Sequence, residues 1–233
     1  RKPYTGIVKL YDQEDDHTLR DKYLKVNDKI EGIYERYKDG HLWMKTHYVD
    51  GIPEGPNYTF NPRGNVVVYN THVHGKRHGH CFEYYNTGGR VSKLSGEYTY
   101  KLSGEYTYRE DKIHGEFWQY YSTGGTEVWC TYDNGLREGE YTSYFEDGCV
   151  HEYYVYKKGK KHGIHIKYYE DSPTRKEVEA YYIDDKLEGP FKCYYINGTV
   201  MEECTFHQGR LHGEYRYYSH EDGSPVSYTH LRA

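Results

Sequence analysis

Apolar and aromatic residues in this chain alternate with polar ones over short runs, and each run is closed by glycine, asparagine or aspartate. In one run Val128, Cys130 and Tyr132 take every second position, with Glu127, Trp129 and Thr131 between or beside them; Met44, Thr46 and Tyr48 repeat the arrangement elsewhere. Period two puts each trio on one face of a β-strand and the intervening residues on the other. No 3.6-residue apolar period is sustained, and Gly, Tyr, Thr and β-branched residues dominate, so a helical reading fails.

The strands recur at a fixed interval. Aligned on the glycine that follows His or Glu, the copies fall at Gly32, Gly55, Gly79, Gly115, Gly139, Gly163, Gly189 and Gly213, with spacings of 23, 24, 36, 24, 24, 26 and 24 residues. A period of this size marks a stacked repeat array. Five residues past each glycine stands an aromatic: Tyr37, Phe60, Tyr84, Tyr120, Tyr144, Tyr168, Tyr194 and Tyr218. A turn glycine follows in every copy but the sixth, which has Asp171-Ser172-Pro173 instead. The second strand ends at Asp50-Gly51, His74-Gly75, Asn134-Gly135, Lys158-Gly159, Asp184-Asp185 or Gln208-Gly209. Asn-Gly and Asp-Gly favour type I′ turns, whose central residues both need positive φ. Each unit is therefore two short antiparallel strands and two tight turns.

The second strand contributes a closing aromatic at Tyr48, Tyr108, Tyr132, Tyr156, Tyr182 and Phe206, with His72 as the departure. Together with the first-strand aromatic this predicts two rings per unit in one continuous stack. The chain has 32 tyrosines. Tyrosine has a large apolar body and a hydroxyl that can stay wet, which is how a chain of low mean hydropathy can bury a core. One hairpin cannot cover its own face, so neighbouring copies must do it.

Gly159-Lys160-Lys161-His162-Gly163 followed by Tyr168-Tyr169 resembles the MORN repeat (membrane occupation and recognition nexus), in the variant common in bacterial and large-virus proteins. The resemblance covers about Lys25 to Gly223. It implies a fold class that is all-β: an elongated, twisted antiparallel sheet or solenoid of about eight tandem β-hairpin repeats. The family's roles imply a scaffold that binds another protein or dimerises, a peripheral module that contacts membrane phospholipid, or an antitoxin component. The expected organisation is an N-terminal cap or partial repeat over 1–24, with a strand at Ile7–Tyr11, an array over 25–223 and a tail over 224–233. The tail loses the period and resembles a translated adapter. Within the array, the insertion 92–108 carries a direct duplication, Lys93–Tyr100 and Lys101–Tyr108. It reads as an extended hairpin or an assembly error, with a dedicated binding loop as the sharper alternative.

Charge narrows the partners. The formal net charge is −5, from 31 basic and 36 acidic residues mixed along the chain. That argues against nucleic acid, which calls for a basic stripe, and weakens simple attraction to anionic lipid. No apolar run is long enough to span a bilayer, so a cytoplasmic protein, peripheral to membrane at most, is expected. The first residue is Arg1, so a preceding segment stays open. Open strand edges at both ends of the array would allow end-to-end homodimers.

Candidate chemistry is sparse. Five cysteines without a CxxC pair read as small buried hydrophobes in a reducing compartment. The slot before each aligning glycine holds only Glu or His. A polar turn residue bonding local backbone is the plain reading; the alternative is a binding edge that gains charge as His78, His114, His162 and His212 protonate. His72, His74, His78, His80 and Cys81 form the densest group of ligand-type side chains, suited to Zn²⁺ if a hairpin brings them together. The repeat already accounts for His78 and the aromatic position for His72, so no cofactor is expected. No GxSxG, HExxH or phosphate loop is present, which points away from an enzyme. Trp118 and Trp129, off the expected core, are the candidate contacts for a protein partner. The plain reading of both is packing on the sheet's second side.

Overall fold

The computed structural model describes residues 2–12, 17–86 and 101–231, with side chains described up to residue 227. Among them there are twenty β-strands and no helix. The chain divides into two compact units, 1–114 and 115–233. The first contains β1 (Gly6–Tyr11), β2 (Leu19–Val26), β3 (Lys29–Lys38), β4 (His41–Val49), β5 (Ile52–Phe60), β6 (Val66–Val73), β7 (Lys76–Arg77), β8 (Gly79–Tyr84) and β9 (Leu102–Arg109). β10 (Lys112–Tyr120) spans the division. The second continues with β11 (Thr126–Asp133), β12 (Leu136–Tyr144), β13 (Val150–Lys157), β14 (Lys160–Tyr169), β15 (Ser172–Ile183), β16 (Lys186–Leu187), β17 (Gly189–Tyr194), β18 (Val200–His207), β19 (Arg210–Tyr218) and β20 (Pro225–Leu231).

Within each unit, consecutive strands pair antiparallel; β6 takes both β7 and β8, and β15 both β16 and β17. The strands run mostly eight to ten residues, longer than a 24-residue unit with a separate bend at the glycine would permit. The reason is that six of the eight aligning glycines lie inside a strand, while Gly79 and Gly189 open β8 and β17 after a one-residue break. In the β-bulge at Gly139, Cys130 pairs with Tyr141 and Tyr132 with Arg137, so Glu138, Gly139 and Glu140 face Thr131 alone. All eight aligning glycines have positive φ, from 71° to 116°. A second bulge recurs just before the first-strand aromatic, as between Gln119 and Tyr120.

All the expected hairpin turns that follow the second strand are of type I′. From Asn27-Asp28 to Gln208-Gly209, the first central residue has φ of 49–53° and the second 66–84°. Seven of these turns also bond back to the preceding segment, as where Gly75 N–H donates to the Pro53 carbonyl and Gly159 N–H to the Arg137 carbonyl.

The core is a row of side chains two residues past each glycine and their partners across the strand. In the first unit it runs Tyr23, Tyr34, Thr46, Asn57 and Asn70, and then pairs Cys81 with Tyr106. In the second it runs Phe117, Cys130, Tyr141, Tyr154, His165 and Ala180, and then Phe191, Cys204 and Tyr215. Cys81 and Cys130 are the most deeply buried side chains. The second-strand aromatics flank this row as expected; Tyr48 packs on Tyr34 and Tyr132 on Phe117 at centroid distances of 5.7 Å.

One continuous stack of both aromatic series does not form. The first-strand aromatics lie an odd number of residues from the core position and therefore on the opposite face. Tyr37, Tyr194 and Tyr218 donate their hydroxyls to Glu35, Glu179 and Glu203 there. The second of two adjacent tyrosines instead ties repeats together, as Tyr121 donates to the Tyr144 carbonyl at 2.6 Å and Tyr195 to the Tyr218 carbonyl at 2.8 Å.

The expected N-terminal strand is present as β1, paired with β2. In the tail, Pro225–Leu231 forms β20 along β19. The second copy of the duplicated octapeptide supplies β9, whereas its first copy, 93–100, lies outside the described residues.

Candidate functional site

Three surfaces bear on function: the row of turns, the face opposite the core row, and a groove in the first unit. At the turns, the choice of Glu or His in six of the eight slots goes with a carboxylate contact between hairpins. Glu31, Glu54, Glu138 and Glu188 each accept, at 2.6–2.8 Å, the backbone N–H of the first residue of the next turn: Asp50, His74, Lys158 and Gln208. Where the slot holds His78 or His162, the next turn is Glu110-Asp111 or Asp184-Asp185. The acceptor is then supplied from the other side, from Asp111 to Arg77 N–H at 3.0 Å and from Asp185 to Lys161 N–H at 2.8 Å. A carboxylate thus joins successive hairpins in either arrangement. Sequence reasoning missed this pairing, although the roughly 20-residue offset between slot and turn signals it. A third recurring contact ties the bulge: Thr71, Thr107 and Thr131 donate their hydroxyls to the carbonyls of His78, His114 and Glu138.

The four slot histidines occupy separate bulges, one per repeat, and do not converge. His78 and His212 are exposed, His114 and His162 half-buried, with His162 Nδ1 3.6 Å from the Asp184 carboxylate. Nor does the structure assemble the proposed zinc ligands. His72 and Cys81 lie on the core side, His80 faces the other way against Phe82, His74 is in a turn and His78 in a bulge. Strand alternation separates ligands that sequence proximity brings together. Among the described residues no group of three or more His, Cys, Asp or Glu side chains is placed to hold a metal ion.

Opposite the core row, each unit carries a second row that changes character along its length. In the first unit Lys22, Glu35 and Lys45 give way to Tyr58, Tyr69 and Phe82. In the second, Trp118, Trp129, Thr142, Tyr153 and Ile166 give way to Glu179, Lys192, Glu203 and Arg216. The charged stretch neutralises itself, with Glu203 3.4 Å from Lys192 and 3.5 Å from Arg216. Trp118 and Trp129 are direct cross-strand partners with ring centroids 6.0 Å apart. Both are half-buried, and the Trp129 Nε1 meets no acceptor among the described residues. Ile164 and Tyr181 extend the apolar surface and are 38% and 43% exposed. The groove in the first unit, about 560 Å³, is lined by Leu42, Trp43, Phe60, Pro62 and Val67 among others, with Trp43 exposed.

In each unit the face of the core row holds most of the perturbed ionisable groups. Burial pushes the Glu152 carboxyl upward, but bonds from His165 at 2.9 Å and Tyr154 at 2.6 Å outweigh it and hold its pKa down at about 2. Asp21 is likewise held low against burial, by donors on Tyr34, Arg20 and Arg36. These carboxylates are occupied in binding neighbouring side chains, which suits structure rather than proton transfer.

No protein-family model matches the chain. No curated protein matches it either. A solved structure, described as the crystal structure of TcdB2-TccC3-Cdc42, aligns over 96% of this chain and 17% of its own at 9% identity, with a TM-score of 0.20. A similarity that low carries no argument about fold or function. Among the described residues no helix is long and apolar enough to cross a membrane.

Proposed function

We propose that this chain is a MORN-type, non-catalytic scaffold that binds another protein through the tryptophan side of its second unit. The observation that supports this is the row Trp118–Trp129–Thr142–Tyr153–Ile166, aromatic or apolar except at Thr142, on a sheet face with no layer packed over it among the described residues. Rigid aromatic side chains give large contact area at low conformational cost, and contiguous exposed apolar surface marks interaction sites. The neighbouring charged row, already paired within itself, would form a polar rim.

The test is affinity capture from the native host with the wild-type chain and a Trp118→Ala/Trp129→Ala variant of matched circular dichroism. A specific partner retained by wild type and lost by the variant is the expected result. A partner that binds both equally, or none at all, would count against the reading. Co-sedimentation of wild type, but not the variant, with anionic vesicles would instead assign the surface to lipid.

A further inference from the structure

On the core-row face, basic residues stand two positions before three of the aligning glycines: Arg77 in the first unit, and Arg137 and Lys161 in the second. At Arg77 the charge is matched internally. The Arg77 guanidinium lies 4.1 Å from the Tyr108 ring centroid, donates from Nη1 to the Tyr108 hydroxyl at 2.8 Å, and donates from Nε to Asp111 at 3.1 Å. Asp111 is the second residue of the adjoining turn, and its N–H donates to the Arg77 carbonyl.

At Arg137 the backbone arrangement repeats and the carboxylate is missing. The N–H that donates to the Arg137 carbonyl belongs to Gly159, so Gly159 stands where Asp111 stands. The Arg137 guanidinium lies 5.1 Å and 5.4 Å from the Tyr141 and Tyr156 centroids, and its side-chain hydrogen bond is from Nε to the Tyr132 hydroxyl at 3.3 Å. In the next repeat the Lys161 Nζ lies 3.7 Å from the Tyr154 centroid. Asp185 occupies the corresponding turn position but bonds the Lys161 backbone N–H. Among the described residues neither cation has a carboxylate at ion-pair distance. Both are half-buried among rings, where an unmatched charge is costly. Burial lowers the Lys161 pKa, the Arg137 charge lowers it further, and Glu152 and Asp185 oppose both.

We infer that Arg137, flanked by Tyr141 and Tyr156 and assisted by Lys161, receives a carboxylate side chain from an acidic segment of a protein partner. That carboxylate supplies in trans what Asp111 supplies to Arg77 within the chain. A guanidinium offers paired N–H donors that match a planar carboxylate. The inference rests on the scaffold reading but sits on the opposite face from the tryptophans, so the two can fail separately: capture with the tryptophan variant tests one, and the following titration tests the other.

The probe is an octaglutamate peptide, titrated calorimetrically against the whole chain at low salt. Gly159→Asp would place the missing carboxylate in cis; the position already has φ +79°, close to the +68° that Asp111 adopts. Its added Cβ would meet Leu136 Cδ2 at 3.3 Å, the end of an exposed, adjustable side chain. Gly159→Asp and Arg137→Gln should each weaken binding at least tenfold. Lys158→Gln/Lys160→Gln, which removes two exposed charges from the same turn, should stay within threefold of wild type. If Gly159→Asp fails to fold, Arg137→Gln carries the test alone. No binding by wild type, unchanged affinity in Arg137→Gln, or equal weakening in the lysine control would overturn the proposal. So would inorganic phosphate binding as tightly as the peptide.

Discussion

Tyr154 shows what one side chain does in this fold. Its ring stacks on His165 at a centroid distance of 4.2 Å and an interplanar angle of 3°, its edge meets Tyr182, and its hydroxyl donates to Glu152. Tyr154→Ala should cost about 3–5 kcal/mol in chemical denaturation, as truncation of a buried aromatic does. Tyr120→Ala, at a half-buried bulge position on the other face, should cost about half as much or less. Equal losses would mean that both aromatic series share one core after all. The recurrence of both tyrosines was visible in the sequence. Which series is interior was not, because the second bulge puts one extra residue in the partner strand, so that Tyr120 stands opposite Thr126 rather than Glu127. His165 has an equally central place and gave no sequence signal, since it stands where five other repeats have Tyr or Phe and two have Asn57 and Cys81.

At the scale of the element, the His/Glu-Gly pair is a bulge rather than the start of a strand. Gly139 has φ +85°, and a Cβ there would lie 3.1 Å from Thr131 Oγ1, whose hydroxyl holds the Glu138 carbonyl. Gly139→Ala should therefore destabilise the chain by about 1–2 kcal/mol, the cost of a left-handed backbone for a residue with a Cβ. Glu138→Ala should cost about 0.5–2 kcal/mol, by analogy with loss of a helix cap, because the Lys158 N–H loses its acceptor. Thermal or urea midpoints of both variants check these values, and a neutral Glu138→Ala would show that water replaces the carboxylate at no cost. The turn dipeptides were legible as type I′ because Asn-Gly and Asp-Gly leave few other conformations. The reciprocal choice of slot and turn residue was present in the same letters. It becomes meaningful only when the turn of one hairpin is seen to bond the start of the hairpin before it.

Across the whole molecule, stability depends on many tyrosine–carboxylate contacts, and both partners titrate away from neutrality. Glu152 falls from an ordinary 4.5 to about 2 in the fold. A lowered pKa contributes stability that is present above 4.5 and lost as pH falls toward 2. Tyr34 and Tyr194 are pushed up to about 12, by burial first and then by Asp21 and Glu179 respectively. A raised pKa contributes stability that is present below 10 and lost as pH rises toward 12. Urea midpoints should thus be flat between about pH 7 and 9 and decline on both sides, the acid side beginning with His72, whose pKa burial lowers from 6.5. Glu152→Gln should shallow the acid limb and leave the alkaline limb unchanged. An acid limb identical to wild type would show that the Glu152 contacts contribute nothing to it.

The sequence by itself determined the all-β class, the repeat period, the turn types and the alternation that puts Cys130 inward and Trp129 outward. These are local consequences of chirality, positive φ and a side-chain period of two, and each is written within a few residues. Only the tertiary structure decided which aromatics form the interior, which carboxylate joins which hairpin, and that the histidines near Cys81 diverge. Those outcomes depend on registers shifted by bulges and on contacts 20 or more residues apart, which no short stretch of the chain specifies.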